Sequence, residues 1–308
     1  MNKYIYISSK KNQKEYLEDN FNNIRFISKT PSKFSLKKII KEIKKNNINQ
    51  IIIEDYFVGI NNFIQKLNKL DKKVKMVWTG GLATLNDEIE LENLTQVLSL
   101  LKEKKIKNLA FKEENIYEVY KSLKGVKKIS LTVKGINKHS YSKNRCVSIY
   151  GDAYDWRSNY FNQLSALKLI DNYNLLILDS KNIVNRFCKF FNIKNLKSSK
   201  KFDVKNFRKL LNNLDSASCV EFSNSLDLFI IDSYNHGVPV VLGNNSLFFK
   251  GTELSELVVV KSDDDVNEIA EKLNYCLNNS KSIIEIYKKL KTKYDLECRN
   301  LINDFIEE

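Results

Sequence analysis

Apolar runs alternate with amphipathic, lysine-rich segments along the first half of the chain. Runs typical of buried strands occur at Lys3–Ser8, Ile48–Tyr56 and Lys73–Trp78. The segments between them, such as Ser35–Asn47, place apolar residues at helical spacing. Strands that alternate with helices predict a parallel sheet covered by helices on both faces.

The same alternation begins again after a polar, turn-rich segment, Lys134–Asn144. We therefore predict an N-terminal domain at residues 1–138 and a C-terminal domain at 139–308, which has a last strand at Glu256–Val260 and then a helical tail. The expected fold class is α/β, with two Rossmann-like, doubly wound domains that face each other across a cleft. Ligands of such sheets bind at the carboxyl ends of the strands.

The segment Ser216–Ser246 predicts a buried strand, a polar turn, a helix, a tight turn and a second buried strand. It holds Gly237, one of nine glycines, and Pro239, one of two prolines, and a chain so sparing with them places them where the backbone requires them. Asp232, inside the predicted helix and next to apolar residues, is a candidate to accept the hydroxyls of a ribose.

The polar turn of this segment has two interpretations. Ser223, Asn224 and Ser225 either cap the helix or contact a sugar or phosphate.

The net charge of +14 also has two interpretations. Lys, Asn and Ile are abundant throughout, as codon bias in an AT-rich genome would produce. However, the basic residues cluster in Val119–Arg145, which contains no acid, and in Lys181–Lys209, which contains only Asp203. We therefore predict an anionic partner: a nucleotide, a nucleic acid or a membrane surface.

The cysteines and the apolar runs limit the cellular context. The five cysteines are far apart and never form a CxxC pair, which favours reduced thiols over a disulfide framework or a zinc site. The first apolar run is too short for a signal peptide, and no run approaches the ~20 apolar residues of a membrane span. We expect a cytoplasmic protein, free or peripheral at a membrane.

The loop Gly151–Asn159 joins a predicted strand to a predicted helix. Such a loop presents backbone N–H groups and a helix N-terminus to anions. Arg157 lies at this helix start, and we interpret it as a phosphate ligand because Arg binds phosphate bidentately. The alternative is a surface Arg paired with Asp152 or Asp155.

The first half offers weaker candidates. Trp78, Gly80 and Gly81 end a predicted strand, where an acceptor or a donor phosphate could approach the bare backbone. His139 lies between the domains and could reach an active site, and Glu54–Asp55 is either an acceptor-side acid or a strand end.

The acidic run Asp263–Asp265 either imitates a metal-binding DxD sequence or, as we prefer, caps the helix that follows it.

The segment DSYNHGVPVV resembles the donor domain of GT-B glycosyltransferases, most closely the retaining family 4 group. In that group a helix with an E-x7-E pattern precedes G-x-P-V-V. Here Asp232 takes the place of the second Glu, which implies contact with the donor ribose, whereas Asn224 stands where the first Glu belongs.

The second family element is G-R-x4-K, whose basic residues hold the donor diphosphate. Gly151 matches it, Arg157 takes the Lys position and Asp152 stands where the Arg belongs. The following segment, RSNYFNQLSA, resembles the KNxxxQxxA variant of the same helix.

The resemblance covers about the second half of the chain. It implies a hexosyl- or pentosyltransferase that retains the anomeric configuration and uses a nucleotide-diphosphate sugar as co-substrate, with no cofactor or metal. Gly151, Arg157, Asn159, Asp232 and residues 223–225 would bind the donor. The expected acceptor is a glycan or a lipid-linked glycan, and the alternatives are a phage-type enzyme acting on modified DNA bases and a non-catalytic donor-binding subunit.

Overall fold

A computed structural model of the chain describes residues 3–135, 145–153, 155–178, 183–193, 196–199, 204–222, 227–246 and 249–308. Four predicted site residues, His139, Ser223, Asn224 and Ser225, lie outside these ranges. The chain divides into two compact units, Met1–Thr132 with Asp295–Glu308, and Val133–Tyr294.

The predicted domain boundary at 138/139 also falls outside the described residues and stays a prediction. We assigned the whole helical tail to the second domain, whereas the end of that tail, Asp295–Glu308, belongs to the first unit.

The first unit is a parallel sheet with connecting helices. Its strands are β1 (Tyr4–Ser8), β2 (Ile24–Phe26), β3 (Gln50–Glu54), β4 (Lys73–Trp78), β5 (Asn108–Phe111) and β6 (Val126–Lys128). Its helices are α1 (Lys14–Asn20), α2 (Lys33–Lys45), α3 (Ile60–Asn68), α4 (Glu88–Lys102) and α5 (Glu114–Tyr120). The strand order is β2-β1-β3-β4-β5-β6, and every pair is parallel.

Local chemistry explains these elements. Strand β3 is buried along its whole length, as its run of three isoleucines predicts for a central strand. Ser32 Oγ accepts from Ser35 N at 3.1 Å and caps α2. Asp87 caps α4 through Ile89 N at 2.9 Å.

The described part of the second unit contains a sheet of five parallel strands. They are β7 (Cys146–Ile149), β8 (Asn174–Leu178), β9 (Leu196–Ser199), β10 (Ser216–Cys219) and β11 (Val240–Leu242). The helices are α6 (Tyr160–Leu167), α7 (Ile183–Phe190), α8 (Val204–Leu211), α9 (Asp227–Asn235), α10 (Glu253–Val258) and α11 (Val266–Glu307), and α11 continues into the first unit from Asp295 onward. The strand order is β11-β10-β7-β8-β9. The predicted α/β class with parallel sheets is confirmed.

One predicted strand is wrong. Residues Glu253–Val258 form the helix α10, and only Val259 makes a β-bridge, with Leu242. Glu253 and Glu256 lie in the first turn, where acids stabilise a helix, and Leu254 and Val258 bury one helical face.

Helix α11 begins at an aspartate and bends in its middle. Asp265 Oδ1 accepts from Asn267 N at 2.9 Å and from Glu268 N at 3.1 Å, so the acidic run provides the predicted helix cap. The bend lies at Asn279, whose φ is −123°.

All five cysteines lie within the described residues, are buried and form no disulfide. Among the described residues, no helix combines the length and the apolar character that crossing a membrane requires.

Candidate functional site

The strand order of the second unit reverses between β7 and β10. Strands β8 and β9 lie on one side of this switch point, and β11 lies on the other. Open α/β sheets bind ligands outside the carboxyl ends of their strands at such a point. Gly151 follows β7 and Glu221 follows β10, so these two residues flank the expected ligand position.

Glu221 lies between two glycines that have no room for a side chain. A Cβ at Gly151, where φ is +125°, would lie 2.8 Å from Ser158 Cβ and 3.3 Å from Glu221 Oε1. A Cβ at Gly243 would lie 2.9 Å from the Glu221 backbone oxygen. Both positions therefore require glycine. Glu221 is itself only 5% exposed and places a carboxylate at the switch point.

Gln163 forms hydrogen bonds to residues on both sides of the switch point. Its Nε2 donates to Ser158 O at 2.7 Å, and its Oε1 accepts from Ser218 Oγ at 2.6 Å and Val220 N at 3.1 Å. The side chain is fully buried. Gln163 lies within the motif RSNYFNQLSA, but the motif alone does not predict this role. A polar residue on the buried face of a helix is the signal that indicates one.

Arg157 forms an ion pair within its own loop. Its Nε lies 2.8 Å and 2.9 Å from the two carboxylate oxygens of Asp155, and its Nη2 lies 2.6 Å from Oδ2. The hydrogen bonds from Arg157 hold the pKa of Asp155 below its usual value. This ion pair is one of the two pairings that form the alternative to phosphate binding. A phosphate would have to share the guanidinium with Asp155 or displace it, and that role stays a prediction.

Asn159 stabilises the same loop from inside. Its φ is +48°, and its side-chain amide donates to the backbone oxygen of Asp263. Asp263 in turn accepts from Asn244 N at 2.6 Å, in the loop after β11. Burial raises the pKa of Asp263. Asn159 and Asp263 therefore join the loop after β7 to the loop after β11.

Asp232 is the most enclosed of the predicted donor contacts that the structure describes. It is 1% exposed, and Arg208 Nε donates to its Oδ2 at 2.8 Å. His236 Nδ1 lies 3.3 Å from its Oδ1 and donates to its backbone oxygen at 2.7 Å. Burial opposes the charge, but the hydrogen bonds from His236 and Arg208 outweigh it and lower the pKa of Asp232. Sequence reasoning missed Arg208, and the ribose contact stays a prediction.

The first unit has its own switch point, between β1 and β3, where polar residues meet. Lys10, in the loop after β1, lies 3.1 Å from Asp55 Oδ2 and 3.9 Å from Glu54 Oε1. Thr79, after β4, donates to Asp55 through its backbone N at 2.8 Å and its Oγ1 at 2.6 Å. Ser8 Oγ donates to Glu54. We call Ser8, Lys10, Glu54, Asp55 and Thr79 the Lys10 cluster.

Burial and charge act against each other in the Lys10 cluster. Burial opposes the charge on Lys10, but Asp55 and Glu54 outweigh it and raise the pKa of the ammonium group. Burial also raises the pKa of Glu54, although Lys10 opposes this. From the sequence, Glu54–Asp55 is either a strand end or an acceptor-side acid. The structure shows that both carboxylates lie at a position where ligands bind in this class of sheet.

Three further candidates, Trp78, Gly80 and Gly81, flank Thr79 of this cluster in the sequence. Trp78 is 1% exposed and belongs to the hydrophobic core. A Cβ at Gly80 would lie 2.9 Å from Thr84 Oγ1, and one at Gly81 would lie 3.3 Å from the Glu113 carboxylate. The backbone of both glycines is therefore closely approached by their neighbours.

The sequence matches no family model and no curated protein. Solved structures are similar in fold. The galactosyltransferase WaaB of the lipopolysaccharide outer core has a TM-score of 0.62 at 10% identity and covers 99% of each chain. Sucrose-phosphate synthase from Thermosynechococcus elongatus has a TM-score of 0.63 at 11% identity, with 87% of this chain and 77% of that chain covered.

The protein has the GT-B glycosyltransferase fold. A third similar structure is a variant of S. aureus TarM in complex with fondaparinux, alpha-GlcNAc-glycerol and UDP, with a TM-score of 0.64 at 14% identity. The match covers 87% of this chain but only 59% of TarM. The GT-B resemblance in the second half of the sequence is thereby confirmed at the level of fold, which the match to WaaB extends over almost the whole chain.

Proposed function

We propose that the protein is a glycosyltransferase that moves a hexosyl or pentosyl group from a nucleotide-diphosphate sugar to a glycan or lipid-linked acceptor. The observation that carries the proposal is the switch point of the second unit, where Gly151 and Glu221 meet within a GT-B fold. In this proposal the anomeric configuration is retained and no metal takes part.

The donor binds to the second unit. The backbone of the Gly151 loop and Arg157 hold the diphosphate, because backbone N–H groups and a guanidinium stabilise the charge that develops on the leaving group. Asp232 contacts the ribose, together with the Arg208 that it orients, and residues 223–225 contact the sugar. Since UDP is bound in the similar TarM structure, we infer a UDP-sugar as the first donor to test.

The acceptor binds to the first unit at the Lys10 cluster, beside the backbone of Gly80 and Gly81. An anionic partner, either a membrane surface or a nucleic acid, accounts for the net charge of +14. The protein works in the cytoplasm or peripherally at a membrane.

The test is a thermal-shift screen against UDP-, GDP-, CMP- and dTDP-sugars. A ligand at about a hundred times its Kd stabilises the folded protein by about 2.7 kcal/mol, so the correct donor raises Tm. Arg157→Ala should weaken the shift, whereas Arg299→Ala, an exposed arginine on α11, should leave it unchanged. If no nucleotide sugar raises Tm, the proposal is wrong.

A second assay tests transfer itself. Incubation of the bound donor with lipid-linked glycans should release the nucleoside diphosphate, and NMR of the product should show the donor's anomeric configuration. Donor binding without turnover on any acceptor would instead support a non-catalytic donor-binding subunit. Transfer to modified DNA would identify the phage-type alternative.

A further inference from the structure

Helix α2 concentrates positive charge on one surface of the first unit. Six of its 13 residues are lysines, and all six are exposed. Its single acid, Glu42, is already paired with Arg25, whose Nε donates to it at 2.9 Å. Within the described residues, no carboxylate lies within 4.0 Å of any of the six lysines, so their charge faces outward.

The six lysines form one continuous face. At about 100° per residue, they spread over an arc of about 140° of the helix. Phe34 lies within this arc and is 77% exposed. The opposite side of the helix carries Ile39 and Ile43, which pack into the core. The side of α2 that packs into the core is therefore opposite Phe34, whose side chain is exposed to solvent among the lysines.

Compositional bias does not explain this face. Codon preference would supply lysine to every helix alike, yet α4 of the same unit carries three glutamates and one lysine in its 15 residues. The positive charge is therefore denser on α2 than on α4 of the same unit, as a binding surface requires.

A second exposed apolar residue lies at the same edge of the sheet. Val58, in the loop after β3, is 63% exposed, and its backbone N contacts the Lys29 backbone oxygen at 3.4 Å. Lys29 lies in the loop that leads into α2. Because β2 and β3 are both parallel to β1, their following loops meet at the carboxyl edge of the sheet, where the Lys10 cluster also lies.

We propose that this surface docks the protein on a lipid bilayer that contains anionic lipids. We call it the lysine face, and it consists of Phe34, Val58 and the lysines at 33, 37, 38, 41, 44 and 45. Lysines near an anionic bilayer bind its headgroups electrostatically. Exposed apolar side chains strengthen binding when they enter the boundary between headgroups and acyl chains, because their apolar surface is then removed from water.

The composition of the face favours a bilayer over a nucleic acid. It contains no arginine, the residue that binds phosphate in a bidentate fork and reads guanine. The side chain of Phe34 is 77% exposed, and contact with the phosphate backbone of a duplex would not bury its apolar surface. A bilayer interface would bury that surface, which is energetically favourable.

The docking deepens the proposed function because Phe34 and Val58 lie at the same edge of the sheet as the Lys10 cluster, so this edge would come close to the bilayer, where a lipid-linked acceptor would lie. This reading of the acceptor rests on the proposed function, but the docking itself does not. Vesicle binding is therefore measured without any nucleotide sugar, and the nucleotide-dependent Tm shift is recorded for every variant. The two proposals can then fail separately.

The experiment is co-sedimentation of the full chain with vesicles of phosphatidylcholine, with and without about 30% phosphatidylglycerol. The test variant is Lys37→Gln/Lys41→Gln/Lys44→Gln, and the matched control is Lys66→Gln/Lys102→Gln/Lys124→Gln, which removes three exposed lysines from the rest of the unit. Phe34→Ser is paired with Ile89→Ser, since Ile89 is 67% exposed on α4.

We expect binding only to the anionic vesicles, and weaker binding at about 0.5 M than at about 0.1 M salt, because salt screens exposed charges. The test variant should lose about a hundredfold in affinity, at about fivefold for each lysine. The control triple variant should lose at most a few-fold, and Phe34→Ser should weaken binding more than Ile89→Ser. Unchanged Tm values show that the variants fold.

Three results would overturn the proposal. They are no binding to anionic vesicles, an equal loss in the test and control triple variants, or binding to duplex DNA that exceeds binding to the vesicles. The last would assign the lysine face to nucleic acid.

Discussion

Arg208 Nε donates to Asp232 Oδ2 at 2.8 Å and joins helix α8 to helix α9 through a carboxylate that is only 1% exposed. The pair fixes the residue that we expect at the donor ribose. His236, at the end of α9, completes the arrangement. The carboxylate is therefore held by the protein before any ligand arrives, and its loss should change stability as well as binding.

Asp232→Ala should lower the free energy of unfolding by about 2–3 kcal/mol, measured by urea denaturation. Removing one member of a buried ion pair leaves its partner uncompensated. We expect less than the ~3–5 kcal/mol typical of a fully buried pair, because the Arg208 side chain is 32% exposed and partly solvated in the variant. Asp171→Ala, at an exposed position, is the control and should change stability little. Equal effects of the two variants would contradict the prediction.

The Asp232 pair should also give stability a defined pH dependence. The folded protein holds the pKa of Asp232 below its usual value. The stabilisation is therefore complete above the pKa of the unfolded chain, about 3.9, and is lost as the pH falls through the folded pKa. The difference in unfolding free energy between the wild type and Asp232→Asn should be constant from about pH 7 to 5 and shrink below about pH 4. A constant difference down to the acid transition would contradict the lowered pKa.

Gly151→Ala should abolish the nucleotide-dependent Tm shift and destabilise the protein by about 1–3 kcal/mol. The new Cβ would clash with Ser158 at 2.8 Å in addition to straining a φ of +125°. Gly251→Ala is a matched control, because Gly251 has a φ of +76° but no atom within 4 Å of its Cβ position. It should show backbone strain alone and keep nucleotide binding. If both variants show the same Tm shift and the same loss of stability, the prediction that the clash with Ser158 matters is wrong.

Much of the fold could be predicted from the sequence because its strands are continuous apolar runs between helical segments. The run Ile51–Ile53 indicates a central strand without any knowledge of its neighbours. At Glu256–Val260 the same reasoning fails, because α10 buries Leu254 and Val258 at helical spacing within a segment that also looks like a strand.

The candidate site could be predicted only where the signal is local. Gly151 follows a strand and precedes a helix, so its loop was identifiable. The contact of Gln163 with Val220 spans 57 residues, and that of Lys10 with Thr79 spans 69. The order of strands in the sheets creates such contacts, and one sequence does not specify that order.

Lys10→Met should destabilise the protein by about 2–3 kcal/mol in urea denaturation at neutral pH. The variant leaves Glu54 and Asp55 without the cation that offsets their burial. Because the folded pKa of Lys10 is raised, its contribution is complete below the unfolded value of about 10.4 and is lost as the pH rises through the folded value. Lys11→Met, at the exposed neighbouring position, should change stability little. A similar loss of unfolding free energy in both variants would show that the ion pairs of Lys10 do not contribute to stability.

At alkaline pH, the contribution of Lys75 to the free energy of unfolding should rise with pH, whereas that of Lys10 falls. Its side chain is fully buried, and its Nζ donates to the backbone oxygens of Phe305 and Ile306 near the end of α11. Burial lowers its pKa to about 8. Between about pH 8 and 10.4 the unfolded chain therefore binds more protons at this group than the folded protein, so its contribution to stability rises with pH.

Lys75→Met isolates this contribution from the other groups that titrate in the same range. The unfolding free energy of the wild type relative to Lys75→Met, followed by urea denaturation, should rise by at most about 3 kcal/mol between about pH 8 and 10.4. Lys73→Met, at an exposed position on the same strand, should show no such trend relative to the wild type. If the wild-type and Lys75→Met curves run parallel across this range, the ammonium group of Lys75 keeps its ordinary pKa, and the carbonyl oxygens of α11 offset its burial.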